Sequence, residues 1–298
     1  MVSFILTKKV IGFISPPNEK KYGVIREGRC TQSRGWWSFS YPPYNLASSA
    51  SLMRSLGHIV FGEDFAVQRC SIRESINKLV NHNPKVIVIS VGSLTFIDDL
   101  EYIKKIKNDI KGVVLVAIGT HISATKNIIE ANELIENIDF IIDGEPEYAL
   151  KLLSEQNFVS RSDKYVKVII NNLDHLPFPA WDLFDLSDYR NPLTGNKTLI
   201  VVPHRGCPYQ CTFCTAPLYY GETLRFRSPE SILMELEFLS REHGIEEFIF
   251  WSDTFTINER YVIKLSKLIA PLGMRWIANS RVDTCLLYTS DAADDSLR

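Results

Sequence analysis

The chain has 298 residues, of which 45% are hydrophobic and 23% charged, and its formal net charge is −2. That composition describes a globular protein long enough for two cores, and the near balance of charge offers no basic field for nucleic acid or an anionic membrane. No apolar run approaches the roughly 20 residues that a membrane span needs, and the N-terminus lacks the order of a signal peptide, so the expected location is cytoplasmic.

From residue 10 onward, short β-branched runs alternate with amphipathic stretches. VIGFISPP (10–17) reads as a buried strand closed by a Pro pair, and 45–56 as a helix stopped by Gly57. HIVFGED (58–64) is a second strand, 73–82 a helix, and KVIVISVGS (85–93) the most strand-like segment. Over 98–109, Leu100, Ile103 and Ile106 fall on one helical face, with Asp98 and Asp99 suited to the positive N-terminal end. A fourth strand is expected at 112–121, a helix over 123–136, a fifth strand at 139–145 and a helix at 147–153. Five β/α alternations predict an α/β fold whose N-terminal unit, residues 1–155, is a doubly wound parallel sheet of the flavodoxin or Rossmann kind. In such sheets ligands bind beyond the carboxyl ends of the strands, here the loops around Ser90–Leu94, Gly119–His121 and Asp143–Pro146.

Residues 156–196 lose this rhythm and read as an ordered linker, anchored by Phe178, Trp181 and Phe184. The alternation restarts at TLIVVPHRG (198–206), continues through a helix bounded by Ser228 and Gly244, and reaches strands at 246–253 and 274–283 with a helix at 258–273 between them. This is the opening of an incomplete (β/α) barrel over 197–284. The final fourteen residues, CLLYTSDAADDSLR, break the pattern and resemble read-through of a sequencing adaptor, so 285–298 is expected to be a non-native tail and Cys285 is not counted as a ligand.

Six cysteines are present, and three of them, Cys207, Cys211 and Cys214, crowd into eight residues. In a reducing compartment such a group points to a metal centre, not to disulfides. Three thiolates in one loop can hold three corners of a cubane cluster and leave the fourth iron open, whereas an ordinary ferredoxin cluster takes four cysteines. A zinc site of the three cysteines with His204 is the alternative, though zinc spacings favour separated CxxC pairs. Cys30 and Cys70 read as ordinary thiols, and His58, His82, His121 and His175 as isolated structural or solvated residues.

CxxxCxxC with an aromatic before its last cysteine, set directly after a strand and preceded by Arg205-Gly206, resembles the signature of the radical S-adenosylmethionine (radical SAM) superfamily. The resemblance implies an enzyme with a [4Fe–4S] cluster on the three cysteines, which reduces SAM and generates a 5′-deoxyadenosyl radical. It implies SAM contacts from Phe213, Ser252, Asp253 and Arg281. The N-terminal unit resembles the cobalamin (B12)-binding domain found in one branch of that superfamily, through YPPYNLASSASLMRSLGH, VIVISVGSLTF, VAIGTH, DFIIDGEPEYALKLL and REGRC. It implies cobalamin against Ser90, Ser93, Leu94, Gly119, Thr120, Gly144 and Glu145. The D-x-H-x-x-G motif that supplies a cobalt-ligating His elsewhere is absent, and Gly119-Thr120 stands where the family often has Gly-Gly. The methylthiotransferase branch needs three further N-terminal cysteines that this chain lacks. The implied reaction is cobalamin-linked methylation or carbon-skeleton modification of a small molecule, with an external one-electron donor such as flavodoxin or ferredoxin. A non-catalytic cobalamin- or metal-binding module, or an inactive truncated fragment, is the alternative.

Overall fold

A computed structural model describes residues 7–18, 24–25, 32–33, 40–125, 133–159 and 163–284. REGRC with Cys30, the middle of the helix expected over 123–136, and the tail with Cys285 lie outside the described residues. Six parallel strands form the first sheet: β1 (Val10–Ser15), β2 (Ile59–Asp64), β3 (Val86–Ser90), β4 (Val114–Ile118), β5 (Phe140–Ile142) and β6 (Tyr165–Val166). Their order is β2-β1-β3-β4-β5-β6, the flavodoxin arrangement with one added edge strand. Chain order reverses between β1 and β3, beside Ser15 and Ser90, the position at which sheets of this kind bind ligands.

The strands are apolar on both faces because helices cover both. On one side α2 (Ile72–His82) and α3 (Phe96–Asp109) bring Ile76, Leu79, Leu100, Ile103 and Ile106 onto Ile87 and Ile89. On the other, α1 (Tyr44–Ser55) and α4 (Pro146–Glu155) bring Leu46, Met53, Leu150 and Leu153 onto Val86 and Val88. The alternation along β3 thus sends successive side chains to opposite layers. A capping box, Ser71 with Glu74, starts α2.

The second sheet is parallel, in the order β11 (Arg275–Ala278), β10 (Glu247–Phe250), β7 (Thr198–Val201). Its helices are α5 (Pro229–His243), capped by Ser228 and stopped by the left-handed Gly244, and α6 (Glu259–Ile269), capped by Asn258. One apolar core runs from α1 and α4 through Ala180, Trp181, Phe184 and Tyr189 to Leu199–Val202, Phe248 and Phe250. Among the described residues no helix is long and apolar enough to cross a membrane.

The structure departs from the sequence reading at several places. TLIVVPHRG is not one strand: Pro203 lacks an N–H for the ladder, so β7 stops at Val201, and β8 (His204–Arg205) turns to pair antiparallel with β9 (Arg225–Phe226). The fourth strand ends at Ile118, and Thr120–Ala124 is already helical because Gly119, at φ 137°, turns the chain out of the sheet. β6 lies inside the segment read as linker. The third barrel strand is only Arg275–Ala278, and Val282–Thr284 forms a 3₁₀ turn.

Trp181 is fully buried where the linker joins the two sheets. Trp181→Ala is expected to cost about 3–5 kcal/mol of unfolding free energy, measured by urea denaturation; a loss below ~1 kcal/mol, the level of a surface substitution, would place this side chain outside a shared core.

Candidate functional site

The cysteine loop hangs between β8 and β9. At its start Gly206 has φ +90°, and a Cβ there would lie 2.1 Å from the Thr223 carbonyl oxygen, so only glycine fits. The Cys207 N–H donates to the Gly221 carbonyl at 3.1 Å, and the Cys214 N–H to that of Cys211 at 3.0 Å. These bonds hold the first thiol near the hairpin stem and curl the other two into one turn. Cys207 is buried, Cys211 and Cys214 are half-buried, and Phe213 between them is 87% exposed. The chain then enters a short helix, Ala216–Tyr220, ended by Gly221 at φ +78°.

The carboxyl edge of the second sheet supplies the neighbouring groups. Ser252 follows β10, is 7% exposed, and its hydroxyl has no hydrogen-bond partner among the described residues. A buried hydroxyl of this kind calls for a partner, such as a water or a ligand atom. Asp253 is next in the chain. Arg281, beyond β11, donates from Nη1 to Cys211 Sγ at 3.4 Å, forks onto Asp283 at 2.8 and 2.7 Å, and lies 3.9 Å over the Tyr209 ring. The structure therefore brings Arg281 to the cysteine loop across 70 residues of sequence. In the sequence Tyr209 strengthens the cysteine signature as part of the Pro-Tyr after Cys207, but nothing local predicts its contact with Arg281.

His204 is buried on β8, and its Nε2–H donates to the Thr254 carbonyl at 3.1 Å. Burial pulls its pKa down to about 4, although the Thr254 bond acts the other way. The ring is neutral at pH 7 with Nε2–H fixed on Thr254, and its Nδ1 has no hydrogen-bond partner among the described residues. Among the described residues no three His, Cys, Asp or Glu side chains converge as they would on one ion. Thiols spaced around a loop fit a polynuclear cluster, in which each cysteine binds a different iron.

The residues expected to meet cobalamin divide into two groups. Buried Asp99 accepts from the Gly92 N–H at 2.9 Å and the Thr95 hydroxyl at 2.8 Å, shaping the loop after β3 so that Ser93 and Leu94 are exposed beside Ser90. Gly119 backs onto Val91, whose carbonyl oxygen would lie 2.5 Å from an added Cβ, and Thr120 begins the helix that packs on Ala216–Tyr220. Gly144 and Glu145 are placed differently. An added Cβ on Gly144 would lie 2.8 Å from the Tyr219 carbonyl oxygen, and Glu145 is 2% exposed with its carboxylate turned to Arg225. Both sit in the contact between the two sheets' loop ends, where the sequence reading had them facing a ligand.

That contact is ionic. Arg205 forks onto Glu147, Nη1–Oε2 at 3.1 Å and Nη2–Oε1 at 2.6 Å, and also donates to the Tyr44 hydroxyl at 3.3 Å. Glu147 accepts from the Ser48 hydroxyl at 2.6 Å. Burial alone would raise the Glu147 carboxyl, but the Arg205 charge and the bonds from Arg205 and Ser48 hold it below the ordinary value. Arg225 donates to Glu145 Oε2 at 2.9 Å and to the Ile170 and Tyr220 carbonyls, each at 2.6 Å; its Nη2 lies 2.5 Å from Glu145 Oε1 in an ionic contact without hydrogen-bond geometry. The Ile170 N–H also donates to Glu145, at 2.9 Å. Sequence reasoning assigned neither Arg225 nor Glu147 a role. A charged residue at each end of one cysteine loop is the signal that was available.

Residues 201–294 match the profile of the Radical SAM superfamily. Over that stretch the chain is similar to a radical SAM domain. An uncharacterized methyltransferase of Pyrococcus horikoshii is 29% identical over 261 residues, 82% of this chain and 56% of that protein. The chain therefore spans little more than half of this relative's length. The cobalamin-dependent SAM radical enzyme OxsB, solved with aqua-cobalamin and SAM, superposes with a TM-score of 0.70 at 16% identity over 94% of this chain and 40% of its own. The radical SAM methyltransferase TsrM of Kitasatospora setae, solved with cobalamin and a [4Fe–4S] cluster, superposes with a TM-score of 0.63 at 15% identity, covering 89% of this chain and 51% of its own. At those identities the two structures bear on the fold.

The depressed His204 pKa has a pH consequence. The unfolded ring takes a proton near pH 6.5 and the folded ring only near 4, so the unfolded state binds more protons between those values. Stability contributed by this site is complete above pH 6.5 and falls by up to about 3 kcal/mol on acidification to pH 4. Denaturant unfolding at pH 7, 5.5 and 4.5 should show that slope, and His204→Gln should flatten it.

Proposed function

We propose that this chain is the cofactor-binding part of a cobalamin-linked radical SAM enzyme that methylates or rebuilds the carbon skeleton of a small molecule. The observation that carries the reading is the three-cysteine loop at the carboxyl edge of a parallel sheet, inside the stretch that matches the superfamily. Cys207, Cys211 and Cys214 would hold the [4Fe–4S] cluster. Phe213, Ser252, Asp253 and Arg281 would line SAM. With cluster and SAM bound, the site supplies one-electron cleavage of a carbon–sulfur bond.

The chain's own groups serve that chemistry in definite ways. The unpartnered Ser252 hydroxyl is available to a polar ligand atom. Arg281 places positive charge and an N–H on the Cys211 sulfur while Asp283 fixes the orientation of its fork. Phe213 offers an exposed aromatic face for stacking. Cobalamin is supported by the strand order, whose reversal lies beside Ser90, Ser93 and Leu94, and by what the OxsB and TsrM structures contain. Gly119 and Thr120 border the same edge; without a cobalt-ligating His motif, the chain would hold the cofactor through these loops. On this reading residues 1–155 form the cobalamin-binding unit, 156–196 the linker and 197–284 the start of the barrel, working in the cytoplasm with an external one-electron donor such as flavodoxin or ferredoxin.

Anaerobic reconstitution with iron and sulfide, followed by absorption near ~400 nm and an iron count, tests the assignment. About four irons per chain are expected in the parent and none in a Cys207→Ala/Cys211→Ala/Cys214→Ala variant; a colourless parent that retains zinc overturns it. A second measurement addresses Arg281. Its hydrogen bond to the cysteine sulfur favours the more negative, reduced state, so Arg281→Gln should lower the cluster midpoint by about 60 mV, a tenfold change for one electron. An EPR-monitored redox titration reads this, and an unchanged midpoint removes Arg281 from the sulfur.

A further inference from the structure

The cysteine loop is strung between Arg205 and Arg225, which are direct register partners in the antiparallel pair β8–β9. Cross-strand partners point their side chains to the same face, so two guanidinium groups emerge side by side. Like charges in that position repel and are costly to bury. Both are nonetheless buried, Arg205 at 1% and Arg225 at 8% exposure.

What offsets them comes from the other domain. Glu145 and Glu147 flank Pro146 at the start of α4, and they are 2% and 0% exposed. Glu147 takes Arg205 by a two-pronged fork, and Glu145 takes Arg225 by a hydrogen bond with an adjoining ionic contact while also lying 3.9 Å from the Arg205 Nη1. Pro146 holds a fixed backbone angle between the two carboxylates. Ser48 and Ile170 complete them, and Tyr44 and Tyr220 lie beside the Arg205 guanidinium with ring centroids at 5.8 and 5.4 Å. The loop's two stems are thus held at a spacing written into the first domain. Arg205 is also two residues from Cys207, with only Gly206 between them.

We infer that Glu145 and Glu147 are positioning residues for the cysteine loop: the first domain's carboxylates, acting through Arg205 and Arg225, set where the three thiols stand. This rests on the radical SAM reading for what the thiols bind, but the placement of Cys207 can be tested without iron.

The experiment compares the parent with Glu147→Gln and Glu145→Gln, which remove charge and keep shape. Leu79→Ala, on the far face of the first sheet, supplies a loss of stability away from the loop. Two readouts are taken on folded protein, verified by circular dichroism and melting temperature. The first is the rate of iodoacetamide alkylation at Cys207 in the iron-free chain, followed by mass spectrometry. The second is the SAM-induced change in the EPR signal of the reconstituted cluster. Both glutamate variants should alkylate at Cys207 about tenfold faster, as expected for local opening, and lose most of the SAM-induced change, whereas Leu79→Ala should lower the melting temperature and move neither readout. Glutamate variants that match the parent in both readouts overturn the inference and leave the carboxylates as stabilisers alone, and so does Leu79→Ala changing Cys207 as much as they do. If Glu147→Gln does not fold, Ser48→Ala, which removes one bond from Glu147, replaces it and should give the same changes at smaller size; parent-like behaviour of Ser48→Ala and Glu145→Gln then overturns it. A parent that takes up no cluster while the alkylation difference persists sinks the cofactor reading and keeps the positioning role.

Discussion

Two arginines and two glutamates, withdrawn almost wholly from water, fix how the halves of this molecule meet. An isolated ion in that position would cost several kcal/mol, and removing one partner of such a pair typically costs about 3–5 kcal/mol. The apolar core that also joins the halves is held by burial, which is non-directional. A guanidinium fork does not slide: its donors meet two carboxylate oxygens in one plane or fail to meet them. Apolar burial supplies the bulk of the attraction, and the ion pairs supply the register.

The chemistry-bearing groups obey a simple division. Strands carry few of them; loops at the carboxyl edges carry nearly all. β7, β10 and β11 are short and mostly apolar, and the residues of interest lie two or three positions beyond their ends, at His204, Ser252 and Arg281. The first sheet behaves likewise, with Ser90 closing β3 and Gly119 following β4. A parallel sheet brings successive carboxyl ends to one edge whatever the loop sequence, so distant segments meet there without any local signal. Tyr209, Cys211, Arg281 and Asp283 form a cluster for this reason.

What the sequence disclosed follows the range of the forces involved. The cysteine spacing, the alternation of apolar runs and the cap at Ser228 with its stop at Gly244 are written within a few residues, and they were legible. β6 has two residues and offers no periodicity to read. The turn at Pro203 was visible as a proline yet was absorbed into a strand, because the neighbouring TLIVV run dominates any window that contains it. Glu145 was placed near the right loop with the wrong partner. A carboxylate beside a glycine at a strand end looks the same whether it faces a cofactor or an arginine 80 residues later, and only the assembled fold distinguishes them. Arg205 was noticed solely as a neighbour of the cysteines, since its partner lies 58 residues earlier.

Pro146 and its two flanking glutamates belong to the earlier part of the chain, and ribosomes deliver that part first. Before the cysteines are synthesised, Glu147 already has Ser48 and the amino end of its own helix to stabilise its charge. Both carboxylates are therefore already present in the chain when the arginines that they receive are made. Once Arg225 has followed the cysteines and paired, the thiols are held apart in a loop, which limits the time in which three neighbouring cysteines are free to oxidise against one another.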